Sequence, residues 1–579
     1  MQHHPSSDME QIECDLLVIG SGAGGLSAAV TAAYHGLDVL VVEKDAYFGG
    51  TTAFSGGWLW IPQTSHAKKA GIIEGDDAPR LYLKNIMGNR YDDVMVDTYL
   101  KKAPEMVDFF ETKTDVAFNG GNAVPDFHGK IDGAVIGGRS VVAAPFDGRK
   151  LGDLLYKLRK PIPQMTLMGM AIASGADMRA FLTTLRSISS FSHVTKRLMR
   201  HFYDLAFYRR STQIVNGNAL VARLLKSAQH YNVRLLSDTP ALSLIKNNDD
   251  ICGAIIEKNG VKKQVFAKYG TVLATGGFPH DQLRKKRLFD HVQNGSPHES
   301  AAPLSVDGDG LKMAENIGAL VDETLISSGA WAPVSLVSNR QGGFNRFPHL
   351  VERGKPGLIA VRQDGKRFVA EDISYHDFMV GLLNATPKGE PVTAWLLADH
   401  RFIRRYGLGA VKPFPVPFTK WLKNGYLKRA NSVAELAQKC GIDEGALQKT
   451  IANYNRDAAQ GIDNEFHRGT TPYQLAQGDK DHLPNPCIAP IVKAPFFAVE
   501  ITAGSLGTFA GLICDDKARV LDGHGEPING LFAAGNDMNS IFAGTYPSGG
   551  ITLGPAMTFG YIIGESVAAA RNKVQENKI

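Results

Sequence analysis

The stretch DLLVIGSGAGGLSAAVTAAYHGLDVLVVEK, residues 15–44, decides the architecture. It opens on an apolar run, residues 16–19, and passes through Gly20-Ser21-Gly22-Ala23-Gly24-Gly25. An alanine-rich helix then runs to about His35, and a second apolar run, residues 39–42, ends in Glu43 and Lys44. Residues 16–42 are long enough to resemble a membrane span, but Ser21, Ser27, Thr31, His35 and Asp38 interrupt them, so strand, helix and strand is the reading. Gly20 makes the tight turn, Gly22 lets the backbone approach a pyrophosphate, and Gly25 lets the helix pack closely on the sheet. The anion then faces the helix N-terminus. Glu43 falls roughly the ~20 residues downstream at which such units place an acid on a ribose hydroxyl. The fold class is therefore α/β, with a Rossmann-like dinucleotide-binding unit.

Working outward, KDAYFGGTTAFSGGWLWIP supplies Gly49, Gly50, Thr51, Thr52, Ser55, Gly56 and Gly57, a small-residue, hydroxyl-bearing loop suited to lie along an extended cofactor. Much later, TVLATGGF (residues 271–278, with Ala274, Thr275, Gly276 and Gly277) and GLFAAGND (530–537, with Gly535, Asn536 and Asp537) repeat one pattern, a β-run ending in small residues. These distant segments are expected to return to one discontinuous nucleotide domain with an insertion between them. NAD and FAD both fit the fingerprint itself. Near the C-terminus GTYPSGGITLGPAMTFG, residues 544–560, sets Tyr546 among glycines and small residues without a single charge. Such a loop suits a neutral group.

Composition bounds the rest. A chain of 579 residues exceeds a single core, and 44% hydrophobic with 21% charged is ordinary for a water-exposed protein. The net charge of +5, from 63 basic and 58 acidic residues, includes no Lys/Arg block of the kind that binds nucleic acid. Cys14, Cys252, Cys440, Cys487 and Cys514 are scattered and form no CxxC, which argues against disulfides and thiolate metal sites and fits a reducing cytoplasm. No metal is expected. MQHHPSSDMEQIE lacks the layout of a secretory signal, so residues 1–12 read as a flexible leader. Residues 150–230 show apolar residues at helical spacing interleaved with Arg and Lys. They read as helices packing on the sheet with a solvated basic face, in preference to a surface that meets a membrane. VNGNALVARLL, residues 215–225, opens another helix at Asn216-Gly217-Asn218. Residues 293–498 mix short strands, helices and proline-rich loops. The active site is expected at the seam between the lobes.

The chain resembles the FAD-dependent succinate dehydrogenase/fumarate reductase flavoprotein superfamily, and within it the 3-ketosteroid delta-1-dehydrogenases. The residues that carry the resemblance are GSGAGG with Glu43, FGGTTAFSGG, VNGNALVARLL, RFVAEDISYHDF (367–378), AAGND (533–537) and TYPSGGITLGPAMTFGY (545–561). It implies FAD, a discontinuous FAD-binding domain over residues 13–292 and 499–579, and an inserted α+β catalytic domain over 293–498. It also implies that Tyr546 and the Gly550 N–H hold a ring carbonyl oxygen, that Tyr375 removes the adjacent proton, and that Ile551 and Leu553 lie near the cofactor. An ordinary phenol has a pKa of about 10, so Tyr375 as a base needs help from its surroundings. His376 and Asp377 adjoin it. The family usually has a further tyrosine in the stretch aligned with VPDFHGKIDG, where this chain has Phe127 and His128. Either His128 serves as a relay, since imidazole donates and accepts, or the wall is shaped for another cyclic ketone.

The reading that follows is 3-oxosteroid 1-dehydrogenation. The alternatives are another steroid position (delta-4) and a small cyclic ketone such as cyclohexanone. A fumarate-reductase-like enzyme needs cationic clamps for two carboxylates, yet residues 545–555 contain no arginine and GTFAGL, 507–512, no histidine. An electron-transfer subunit is disfavoured because no haem-attachment CxxCH is present, so electrons leave to a separate acceptor, a quinone or other carrier. His35 lies inside the first helix and no histidine follows FGGTT before His66, so the FAD is expected to be noncovalent. The remaining expectations are a hydrophobic ring ketone as partner, no transmembrane span, and a cytoplasmic protein with scope for peripheral membrane contact.

Overall fold

The computed structural model describes residues 9–339 and 342–576. The apolar run that begins the fingerprint forms a strand, Glu10–Ile19, flanked by parallel strands Val261–Leu273 and Val39–Val42. Arg234–Leu236 extends the sheet beyond Val39–Val42, and Pro527–Ala533 extends it beyond Val261–Leu273, both in parallel. Residues 10–12, read from sequence as leader, pair with Lys263, Gln264 and Val265, so the strand begins earlier than expected. Of that leader, residues 1–8 lie outside the described residues. An antiparallel ribbon, Ala241–Asn247 with Asp250–Lys258, is attached along Val261–Leu273.

Residues 16–19, the end of the first strand nearest the site, and strand Val39–Val42 are wholly buried, as apolar runs covered on both faces must be. Helix Ala23–Tyr34 lies against the sheet and packs on the C-terminal helix Leu553–Glu576 through small residues. A Cβ on Gly560 would fall 2.4 Å from the Gly24 carbonyl, and one on Gly564 2.5 Å from Thr31 Cβ. The registers align Ile19 with Val42 and with Leu273, and Leu273 with Ala533. The segments beginning at Gly20, Glu43, Ala274 and Ala534 therefore emerge together at the carboxyl ends of the strands, where α/β sheets bind ligands.

A second, antiparallel sheet is ordered Phe344–Pro348, Val334–Ser338, Phe496–Thr502, Thr393–Ala398 and Leu358–Val361. Its strand Phe496–Thr502 continues across residue 498. Helices Val433–Cys440 and Glu444–Ala458 form a separate core with it around Leu397, Leu436, Leu447 and Ile451.

Helix Ile188–Tyr208 departs from the expectation. Its buried positions are Val194, Arg197, His201 and Asp204, whereas Ile188, Met199 and Phe207 are 91%, 67% and 68% exposed. The period was legible but the orientation is inverted, because the polar face finds partners inward. Arg197 pairs with Asp177, His201 with the Met168 carbonyl, and Asp204 accepts from Thr212. Among the described residues no helix is long and apolar enough to cross a membrane.

Candidate active site

Gly20 is required by close approach. It sits at φ +109°, and a Cβ there would lie 2.1 Å from the Ala274 carbonyl. Ser21 donates through both N–H and Oγ to Glu43, and accepts in turn from Gly49 N–H. Thr52 Oγ1 accepts from Ala23 N–H in the first helical turn. Burial pushes the Glu43 carboxyl up, while its bonds from Ser21 and Asp45 pull it down.

From here opens a cavity of about 2120 Å³, lined by residues 20–24, 43–44, 50–52, 55–57, 274–276, 535–536, 550 and 553 among those singled out from sequence. The remaining members of that group stand behind the wall. Gly25 carries no Cβ where one would strike the Gly20 carbonyl at 2.2 Å, and the buried Asp537 carboxylate accepts from Thr275 N–H, Thr275 Oγ1 and Gly277 N–H. Ile551 is buried outside this cavity. The lining fits a dinucleotide. A Cβ on Gly22 would meet only Thr52 Oγ1, at 3.6 Å, so the backbone there is open to a ligand.

The same cavity reaches Phe127, Tyr375, Tyr473, Tyr546 and Gly550. Tyr375 opens helix Tyr375–Ala385, capped by Ser374, whose Oγ accepts from Asp377 N–H. The loop before it is fixed by a buried ionic network: Arg367 makes paired bonds to Glu371 and to Asp463, and Arg468 reaches Glu371. Tyr546 is held by its neighbour, since the Pro547 carbonyl accepts from Phe127 N–H at 3.0 Å and from Tyr82 OH at 2.6 Å. Gly550, at φ +102°, lies so close to Trp58 that a Cβ would fall 2.6 Å from its carbonyl. Its own carbonyl accepts from Trp60 N–H and Gly554 N–H, so among the described residues its N–H is the group left for a ligand.

Two tyrosines 171 residues apart meet here, with Tyr375 OH donating to Tyr546 OH at 2.6 Å. Phe127 stacks on Tyr546 at 5.7 Å and meets Tyr375 edge-on at 5.7 Å. Burial raises both phenols: Tyr375 lies well above its ordinary value, further raised by Tyr546, and Tyr546 is pushed up to about 12. His376 lies 5.4 Å from the Tyr546 ring. Its Nδ1 accepts from Trp331 N–H, and burial lowers it to about 4. His128 does not line the cavity; its Nδ1 stands 3.7 Å from Asp377.

Sequence reading missed Tyr473, which is buried with its ring 4.4 Å from that of Phe127. A signal was available, because Thr471-Pro472-Tyr473-Gln474 is a helix entry with a complete capping box and Pro in the first turn.

A model of the FAD binding domain family matches residues 15–553. The chain is 39% identical, over 98% of its length and 95% of the relative's, to 4-oxocyclohex-2-ene-1-carboxylate 5-dehydrogenase of Sinomonas cyclohexanicum. It is 33% identical, over 96% and 97%, to 3-oxosteroid 1-dehydrogenase of Mycolicibacterium smegmatis. A solved 3-ketosteroid delta1-dehydrogenase from Sterolibacterium denitrificans, in complex with 1,4-androstadiene-3,17-dione, superposes with a TM-score of 0.88 at 33% identity, covering 96% of this chain and 100% of the other. The chain thus belongs to the FAD binding domain family, among the relatives of the 3-oxosteroid 1-dehydrogenases, and is an FAD-dependent oxidoreductase acting on CH–CH groups.

Proposed function

We propose that this chain introduces a carbon–carbon double bond beside a six-membered ring ketone, with Tyr546 and the Gly550 N–H on the carbonyl oxygen and Tyr375 taking the α-proton. The observation that carries this reading is the Tyr375–Tyr546 hydrogen bond in the cavity that also holds the dinucleotide motif. Burial disfavours ionising either phenol. Tyr375 already donates to Tyr546, which leaves the Tyr546 proton free to point at the ketone. As the α-proton passes to Tyr375 Oη, the Tyr375 proton passes to Tyr546 and the Tyr546 proton to the ketone oxygen. The ketone becomes its enol and no phenolate forms in the dry site; when the β-hydride leaves, the enol O–H proton returns to Tyr546 and one proton passes out by way of Tyr375, so that the neutral enone results. Bound FAD supplies the acceptor for the hydride from the neighbouring β-carbon. The FAD is held noncovalently: His35 is occupied by Glu565 and His66 by Glu111, and neither lines the cavity. A separate carrier, such as a quinone, takes the electrons onward.

The first substrate reading is 3-oxosteroid 1-dehydrogenation, supported by a roomy cavity with Met165, Leu167, Phe181 and Leu182 in its walls. The second is a single ring such as 4-oxocyclohex-2-ene-1-carboxylate, which offers the same enone edge as a 3-oxo-4-ene steroid. It is favoured by cations in the cavity that lack carboxylate partners. Peripheral attachment to a membrane is supported by the outward apolar face of helix Ile188–Tyr208, whose Phe191 and Phe202 also line the cavity. Liposome co-sedimentation that Phe202→Glu with Phe207→Glu does not diminish would overturn that attachment.

The function is tested by anaerobic bleaching of the flavin band with 4-androstene-3,17-dione, cyclohex-2-enone and succinate. Bleaching by a ring enone is the expected result, with the new double bond located beside the ketone in the steroid product and phenol, the tautomer of the dienone, formed from cyclohex-2-enone. Bleaching by succinate alone would overturn it.

A further inference from the structure

We infer that Lys412 and Lys355 are carboxylate-binding positions in the substrate cavity, so that the ring ketone taken by this chain carries an acid group. Both lysines line the cavity that contains Tyr375 and Tyr546. Lys412 Nζ donates to the Gln164 carbonyl at 2.6 Å, and Lys355 Nζ donates to the Gln477 and Gly478 carbonyls at 2.6 and 2.8 Å. Among the described residues neither has a carboxylate within ion-pair distance. An ammonium carries three N–H donors, so two remain on Lys412 and one on Lys355. The carboxylates that act on them through space are committed elsewhere. Glu352 is bonded to His349 at 2.6 Å, and Asp479 is held by Tyr406 and Arg405. Burial pushes the Lys412 ammonium down to about 8 and lowers that of Lys355, as befits cations without a counter-charge.

Lys355 is linked to the tyrosine end through one short helix. Lys355 braces the last carbonyls of Pro472–Gln477, and Tyr473 in its first turn packs on Phe127, about 6 Å away along the helix axis at 1.5 Å per residue. Recognition is then two-ended. Neutral donors hold the ketone and spare ammonium donors hold the acid, which fixes which edge of the ring faces Tyr375. Unlike a mere brace for loop carbonyls, such a subsite discriminates between rings with and without an acid.

This inference rests on the reading of the chain as a ring-ketone dehydrogenase, and the test separates the two. The holoenzyme is assayed on 4-oxocyclohex-2-ene-1-carboxylate and on cyclohex-2-enone, which differ by the carboxylate alone, and kcat/KM is compared. Wild type is expected to prefer the acid. Lys412→Met is expected to lower that preference about ten- to a hundredfold, the range of a charged hydrogen bond, chiefly through KM, and Lys412→Arg to recover part of it. Lys355→Met provides the same comparison should the first variant fail to retain flavin. A preference in both Met variants equal to that of wild type would overturn the subsite and leave the dehydrogenase reading standing, as would a wild type that reduces its flavin with the steroid and cyclohex-2-enone but not with the acid. Failure of every ring enone would overturn both.

Discussion

The two ends of the cavity are built on opposite plans. The dinucleotide end is made of backbone from one contiguous run, residues 20–24, together with small residues at the carboxyl ends of parallel strands. The tyrosine end is made of side chains from four segments, at Phe127, Tyr375, Tyr473 and Tyr546, held by buried ions and hydrogen bonds from elsewhere. A backbone site tolerates little added bulk and uses side chains such as Ser21, Glu43 and Asp537 to brace it, whereas the tyrosine site depends on single hydroxyl groups aimed into the cavity. The two ends should therefore fail separately.

The sharpest separation is Tyr375→Phe. Removing the hydroxyl that donates to Tyr546 should slow enone-driven flavin reduction by about 10²- to 10⁴-fold, the worth of a positioned acid–base group, while FAD content stays at the wild-type level. Wild-type single-turnover rates in that variant would remove Tyr375 from the chemistry. Gly550→Ala acts at the junction, where backbone serves the tyrosine end. Its Cβ meets Trp58 at 2.6 Å and its φ of +102° is costly for alanine. Displacing that N–H should cost about 10²- to 10³-fold in kcat, as for other single donors to a developing oxyanion. Stopped-flow reduction with retained FAD checks it, and an unaffected rate would move the carbonyl site elsewhere.

A third prediction concerns what holds the tyrosine end together. Buried His376 stays neutral down to about pH 4, against about 6.5 when exposed, because burial penalises the imidazolium. As pH falls through this window the unfolded chain takes up the proton first. Stability contributed by the neutral ring is complete above about 6.5 and declines towards 4, by about 3 kcal/mol in all. Thermal denaturation should show a midpoint falling over that range, and His376→Gln, which keeps an acceptor for Trp331 N–H, should flatten it. An equal decline in the variant would assign the acid sensitivity elsewhere, for example to His291, also lowered to about 4 by burial.

This division also governs what could be read from the chain. The strand, helix and strand around Gly20 were legible because periodicity and glycine spacing are local signals, and Ala23–Tyr34 and Val39–Val42 lie where the pattern put them. Tyr546 stood out by its chargeless loop, but Tyr375 and the pairing of the two came only through a family resemblance, since nothing in either segment reports a partner 171 residues away. Tyr473 sat beside a readable helix cap and was overlooked because a cap says nothing of what the next ring faces. The inverted helix Ile188–Tyr208 has a sharper cause. Amphipathicity gives the period of the apolar stripe but not which stripe faces in, and ion pairs such as Arg197–Asp177 are long-range facts.

The smallest expected effect is the most informative about the wall between the ends. Phe127 lies in the stretch where the resembling family carries a further tyrosine, and its Cζ lies 3.8 Å from where a Cβ on Gly549 would stand. A hydroxyl added there in Phe127→Tyr would project over a residue with no side chain, so it fits without displacing the ring from Tyr546. Its worth is that of one hydrogen bond, up to about tenfold in kcat/KM. If the wall is merely apolar support, the change stays within that limit for steroid and single-ring enones alike. A loss beyond a hundredfold for one class alone would make Phe127 a determinant of which ring enters, and would tie the substrate choice to the tyrosine end rather than to the lysines beyond it.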